Sequence, residues 1–101
     1  MENIEALIMK GLYVLCREGQ GMQELDAFSG DSLVILVVVD PAVMATSFDE
    51  SLHRLERKAL QASARLSQRG IKCSTIVEWG DKVEIVANAV QRENASLLNK
   101  D

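Results

Sequence analysis

The chain opens and closes in polar residues, and its most continuous apolar run lies at Leu33-Val34-Ile35-Leu36-Val37-Val38-Val39. Every position in that run is apolar and most are β-branched. A strand apolar on both faces is covered on both faces, which predicts a parallel sheet between helix layers. Asp40-Pro41 ends the run, because proline cannot continue a central strand. A helix is predicted next, near 48–69. Ser47-Phe48-Asp49-Glu50 has the form of a capping box. Leu52, Leu55, Ala59, Ala62 and Leu66 then recur at spacings of three and four and share one face. His53, Arg54, Glu56, Arg57, Lys58, Arg65 and Gln68 fall mainly on the other, and Gly70 is placed to stop the helix in a left-handed conformation.

Ile71 to Glu78 reads as a second strand, and Trp79-Gly80-Asp81 as a turn. Asp81 and Glu84 predict the acidic start of a helix near 82–93. Its apolar stripe is read as Val83, Val86, Ala87 and Val90, flanked by Ile85 and Ala89, with Asn94 as its stop. Ala95-Ser96-Leu97-Leu98-Asn99 starts a further strand. Residues 33–99 therefore read β-α-β-α-β, which implies right-handed crossovers and a parallel sheet. The first 32 residues admit two readings. Ile4, Leu7, Ile8, Leu12 and Leu15 fit one helix; alternatively Leu12–Cys16 is a strand, followed by a glycine-containing loop and a short helix near Met22–Phe28.

Composition adds exclusions. The chain has 101 residues, enough for one domain with a thin core. Its formal charge of −4 argues against nucleic acid or an anionic membrane surface as the main partner. The acidic start, Met1-Glu2-Asn3-Ile4-Glu5, is unlike a secretory signal, and no apolar run is long enough to insert directly into a membrane, so a cytoplasmic location is expected. Cys16 and Cys73 lack metal-ligand spacing and read as small hydrophobes. The one histidine, His53, has no second histidine and acid with which to build a hydrolase triad, so no enzyme activity is expected. Arg54, Arg57 and Lys58 are interleaved with Glu50 and Glu56 and read as a salt-bridged helix face.

From Leu33 to Leu98 the chain resembles the second half of a universal stress protein domain. Three features carry the resemblance: the strand ending Val38-Val39-Asp40-Pro41; the amphipathic helix closing Arg69-Gly70-Ile71; and Glu78-Trp79-Gly80-Asp81 followed by Ile85, Ala89 and Asn94-Ala95-Ser96-Leu97-Leu98. The resemblance implies an incomplete member of that fold, related to the adenine nucleotide alpha hydrolases. Members of that family have five parallel strands in the order 3-2-1-4-5, and the resemblance implies that the fifth, through which they often dimerise, is missing here. The strands at 33–39, 71–78 and 95–99 would be the second, third and fourth. The first strand would lie between the second and fourth, and Leu12–Cys16 is the local segment that can fill the gap.

ATP-binding members of the family place an aspartate after the first strand, where this chain has Arg17, and a Gly-x-x-Gly loop after the fourth, where the sequence runs Asn99-Lys100-Asp101. Gly19-Gln20-Gly21 is a weak substitute for a phosphate loop. The resemblance thus implies a non-enzymatic regulatory or interaction domain without ATP. The alternatives are a divergent or partial nucleotide-binding (ATP or AMP) member, or a cytoplasmic regulatory domain of a transporter. Cleft candidates are Arg17, Asp40 and Asn99; Asp40 follows a central strand, at the edge where doubly wound sheets bind ligands. A homodimer or higher homo-oligomer is expected, with Leu97, Leu98, Trp79 or Ile4, Leu7 and Ile8 at its interface; a larger protein partner is the other possibility.

Overall fold

The computed structural model describes residues 9–17, 19–41 and 48–99, with residues 48 and 49 as backbone only. Four parallel strands form one sheet: β1 Lys10–Leu15, β2 Ser32–Val39, β3 Lys72–Trp79 and β4 Ser96–Leu97. Their order is β3-β2-β1-β4, so the chain builds outward from β1 to β3 and then crosses back to the other side of β1. The N-terminal ambiguity is resolved in favour of the strand. Lys10–Leu15 occupies the centre of the sheet, paired with β2 from Lys10↔Ser32 to Leu15↔Val37. A central strand must satisfy backbone groups on both its edges, and this need outweighs the helical spacing of Leu12 and Leu15. Ile4, Leu7 and Ile8 lie outside the described residues.

Side chains of β1 and β2 alternate between two cores, as the period of two requires. Tyr13, Leu15, Leu33, Ile35, Val37 and Val39 meet the short helix α1 (Gln23–Ala27) and the long helix α2 (Phe48–Gln68). Leu12, Val14, Val34, Leu36 and Val38 meet α3 (Lys82–Glu93) on the opposite face. From α2, the predicted stripe delivers Leu55, Ala59, Ala62 and Leu66 to the first core, with Leu52 half-buried beside them. Gly70, at φ +81°, ends α2: its N–H bonds to the Ser67 carbonyl and that of Ile71 to Leu66, each at 3.0 Å. This is the double-bonded stop that a left-handed residue permits. Ser47, the predicted cap at the other end, lies outside the described residues.

Helix α3 starts as predicted, with the Asp81 carboxylate accepting from the Glu84 backbone at 3.1 Å. It stops at Asn94, which is left-handed at φ 50°. Its buried face differs from the predicted stripe. Ile85 and Ala89 enter the core, Val86 and Val90 are half-buried, and Val83 is 75% exposed. Six of the eight residues from 83 to 90 are apolar, so periodicity cannot choose the face. The position of the sheet chooses it: α3 runs back over β2, and Val83 and Ala87 turn away.

Candidate functional site

In an open parallel sheet, the crevice that takes ligands lies beyond the carboxyl ends of the strands, where the strand order reverses. Here that point is between β1 and β4. The ladder there follows a parallel pattern: Leu98 N–H donates to the Leu12 carbonyl at 2.9 Å, one step beyond the Leu12↔Leu97 pair. The next step would require backbone partners for both polar groups of Val14. The Asn99 side chain supplies them. Its carbonyl oxygen accepts from Val14 N–H at 2.9 Å, and its amide nitrogen donates to the Val14 carbonyl at 2.9 Å. One side-chain amide thus reproduces a peptide unit of a longer β4.

The same carbonyl has a second lone pair, and Gln20 uses it. Gln20 Nε2 donates to Val14 O at 2.5 Å and to the Tyr13 hydroxyl at 2.9 Å. Its Oε1 accepts from the backbone of Cys16 at 3.0 Å and of Arg17 at 3.3 Å, with the Cys16 thiol 3.6 Å away. Tyr13, fully buried, donates its hydroxyl to Gly21 O at 2.5 Å. Lys58 of α2 reaches the Gln20 carbonyl at 2.6 Å and pins the loop from above. Gln20 and Asn99 are the buried polar residues of the described structure, and among the described residues no buried side-chain nitrogen or oxygen lacks a partner.

The three sequence-predicted cleft residues therefore divide. Arg17 and Asp40 follow the ends of adjacent strands β1 and β2 at this edge, Arg17 exposed and Asp40 half-buried. Asn99 is buried and engaged with the backbone. Gln20, which the sequence showed only as a residue between two glycines, is the centre of the network. Neither Gly19 nor Gly21 adopts a positive φ. The segment turns a side chain inward and does not form a backbone cradle for phosphate.

Elsewhere, Arg54, Arg57, Lys58 and Gln61 line a shallow hollow of about 330 Å³ on α2. His53 is exposed on the same helix. Among the described residues, no group of three His, Cys, Asp or Glu side chains could hold a metal ion. Both cysteines are free and half-buried; burial raises the Cys73 thiol above its usual range, with a smaller opposing effect from the Ser63 hydroxyl. Lys10, and then Arg92, hold the Glu93 carboxyl below its usual range, through a 2.9 Å contact to Lys10 and a 3.3 Å contact to Arg92. Among the described residues, no helix is long and apolar enough to cross a membrane.

A wider groove of about 510 Å³ lies beside α3 over β4, lined by the apolar Val14, Val83, Val86, Ala87, Val90 and Leu97 together with Lys82, Gln91 and Asn99. Of the expected interface residues that are described, Leu97 is here. Leu98 is half-buried against the core on the α2 side, and Trp79 ends the opposite edge strand, β3.

No family model matches the sequence, and no curated protein matches it. A solved structure does match: the crystal structure of a protein from the universal stress protein family from Burkholderia pseudomallei. It is 20% identical, superposes with a TM-score of 0.62, and is matched over 87% of this chain and 80% of its own. At this identity the likeness is one of fold, and it is the fold that the sequence resemblance implied: the chain has the parallel α/β architecture of a universal stress protein.

Proposed function

We propose that this chain is a non-enzymatic regulatory or interaction domain of the universal stress protein type, working in the cytoplasm through self-association or contact with a larger protein, without ATP or AMP. The observation that carries this reading is the state of the crevice. A buried polar group there, the Val14 carbonyl, accepts from the amides of both Gln20 and Asn99. A nucleotide entering there would have to displace two buried side chains. Each would leave unpaired backbone groups costing about 1–3 kcal/mol apiece. A ligand must recover that cost before it gains any affinity.

The nucleotide-binding reading draws on Arg17 and Asp40, which stay at the mouth of the same crevice. Calorimetric titration with ATP and with AMP, each with magnesium, decides between the two. The expected result is no heat of binding up to millimolar nucleotide; micromolar affinity for either would overturn the proposal.

A further inference from the structure

We infer that the outward face of α2 built by Arg54, Arg57, Lys58 and Gln61 is a docking surface for a carboxylate-rich segment of another protein. This names the chemistry of the larger partner in the reading above and rests on that reading. The four residues stand at i, i+3, i+4 and i+7, so they share one face of the helix, and together they line the hollow of about 330 Å³. Arg54, Arg57 and Gln61 are exposed and Lys58 is half-buried. The lining holds three cations and no carboxylate, in a chain whose net charge is −4. Neighbours along the helix do not balance it. Neither Arg57 nor Lys58 has an acidic residue three or four positions away on either side, and Arg54 has Glu50 alone. Glu56 stands one or two positions from each of the three cations, spacings that turn it off their face. Arg54 instead meets Arg57 at i+3 and Lys58 at i+4, like charges at spacings where they disfavour the helix. An anionic occupant relieves that repulsion.

Other cations of this region serve the fold. Arg65 pairs with Asp26 at 2.6 Å, and Arg69 donates to the carbonyls of Leu25 and Phe28, so both fasten α1 to the end of α2. Lys58 has a structural contact and a place in the hollow at once: its 2.6 Å bond to the Gln20 carbonyl fixes the ammonium in the hollow's wall. The position on the helix selects the occupant. Residues 54–61 lie inside α2, where backbone N–H groups are spent on the helix's own bonds, so an anion meets side chains only. A lone phosphate finds no backbone cradle there. From residue 54 to residue 61 the helix rises about 10 Å, room for several carboxylates of one segment. Each arginine fork can grip a carboxylate through two parallel bonds. Nucleic acid extends well beyond the hollow and would carry its phosphates across an acidic chain.

Fluorescein-labelled octaglutamate is the probe, with octaserine as the uncharged control, each titrated with the full chain and followed by anisotropy. At about 20 mM salt octaglutamate should bind saturably with Kd below about 1 mM, and octaserine should not. Raising the salt to about 300 mM should weaken binding at least about tenfold, because exposed charges are screened. Arg57→Glu, and separately Arg54→Gln combined with Arg57→Gln, should each weaken it at least about tenfold with circular dichroism unchanged, both residues being exposed. Arg65→Gln, on the same helix but outside the hollow, should change it less than about twofold. Lys58 is kept, because its loss would also release the Gln20 carbonyl. Full affinity in both hollow variants, or an equal loss in Arg65→Gln, overturns the site. Inorganic phosphate or a ten-base-pair DNA duplex that binds there as tightly as octaglutamate overturns a protein segment as the occupant. Octaglutamate that does not bind overturns the inference and leaves the reading of a domain without nucleotide standing; nucleotide affinity by calorimetry overturns that reading on its own.

Discussion

Replacing Asn99 by alanine separates a structural amide from a ligand-binding one. In the structure, Asn99 is 7% exposed and holds both backbone groups of Val14, itself 1% exposed. Truncation leaves the Val14 carbonyl with Gln20 as partner, but it leaves Val14 N–H with none. An unsatisfied buried donor costs about 1–3 kcal/mol. Total stability for a domain of this size is on the order of 5–15 kcal/mol, so the loss is a large fraction of the whole. Each kcal/mol moves the melting temperature by roughly 4–8 °C in a domain of this size, and the expected drop is therefore roughly 4–20 °C. Thermal and urea unfolding followed by circular dichroism give the global number, and amide exchange at Val14 gives the local one. The amide should be protected in the wild type and exchange much faster in Asn99→Ala. Asn99→Asp should rescue only in part, because a carboxylate accepts from Val14 N–H but sets a buried charge beside the Val14 carbonyl, to which it cannot donate. Had Asn99 been held in the cleft for a ligand, its loss would leave stability unchanged or raised. An Asn99→Ala protein as stable as the wild type, with Val14 still protected, would refute the reasoning.

Gln20→Ala should cost a similar amount, about 1–3 kcal/mol, and should increase amide exchange at Cys16 and Arg17, which Gln20 caps. Gly70→Ala, at φ +81°, should cost about 1–2 kcal/mol in chemical unfolding with the slope unchanged. The Lys10–Glu93 pair predicts an acid effect. The folded carboxyl titrates below its unfolded value, so the pair's contribution is full above the unfolded value and is lost as pH falls through the folded one; Glu93→Gln should flatten stability across that window. Cys73, held protonated by burial, should alkylate more slowly than an unfolded-chain thiol at neutral pH, and equal rates would contradict its placement.

What could be read from the sequence divides by the kind of signal each element carries. β2 is apolar at every position from Leu33 to Val39, and no amphipathic helix shows that pattern. α2 carries a five-residue stripe and a glycine stop, and the structure places its buried residues where the spacing put them. β1 could not be read from local pattern, because Leu12 and Leu15 satisfy helical spacing as well. Only the requirement that a parallel sheet have a centre selects the strand. For α3 the element and both its ends were legible from Asp81 and Asn94, but not its buried face, since valine and alanine fall on every side of it. The Gln20–Val14–Asn99 network left no trace in the sequence. Two amides far apart in the chain converge on one carbonyl, and neither spacing nor composition encodes that meeting. Arg17 and Asp40 were placed correctly at the strand ends because strand ends follow from strands.

The occupied crevice and the shortness of β4 have one cause. A β4 longer by one pair would bring backbone to Val14 and would need the place that the Asn99 side chain now fills. With Asn99 bound there, the strand can end at Leu97, and the last outward-facing peptide groups of the ladder belong to that residue. Ligand access at the switch point and extension of β4 are therefore competing uses of Val14. A nucleotide that reached the Val14 carbonyl would have to expel Asn99 and so disturb the residue beside Leu97.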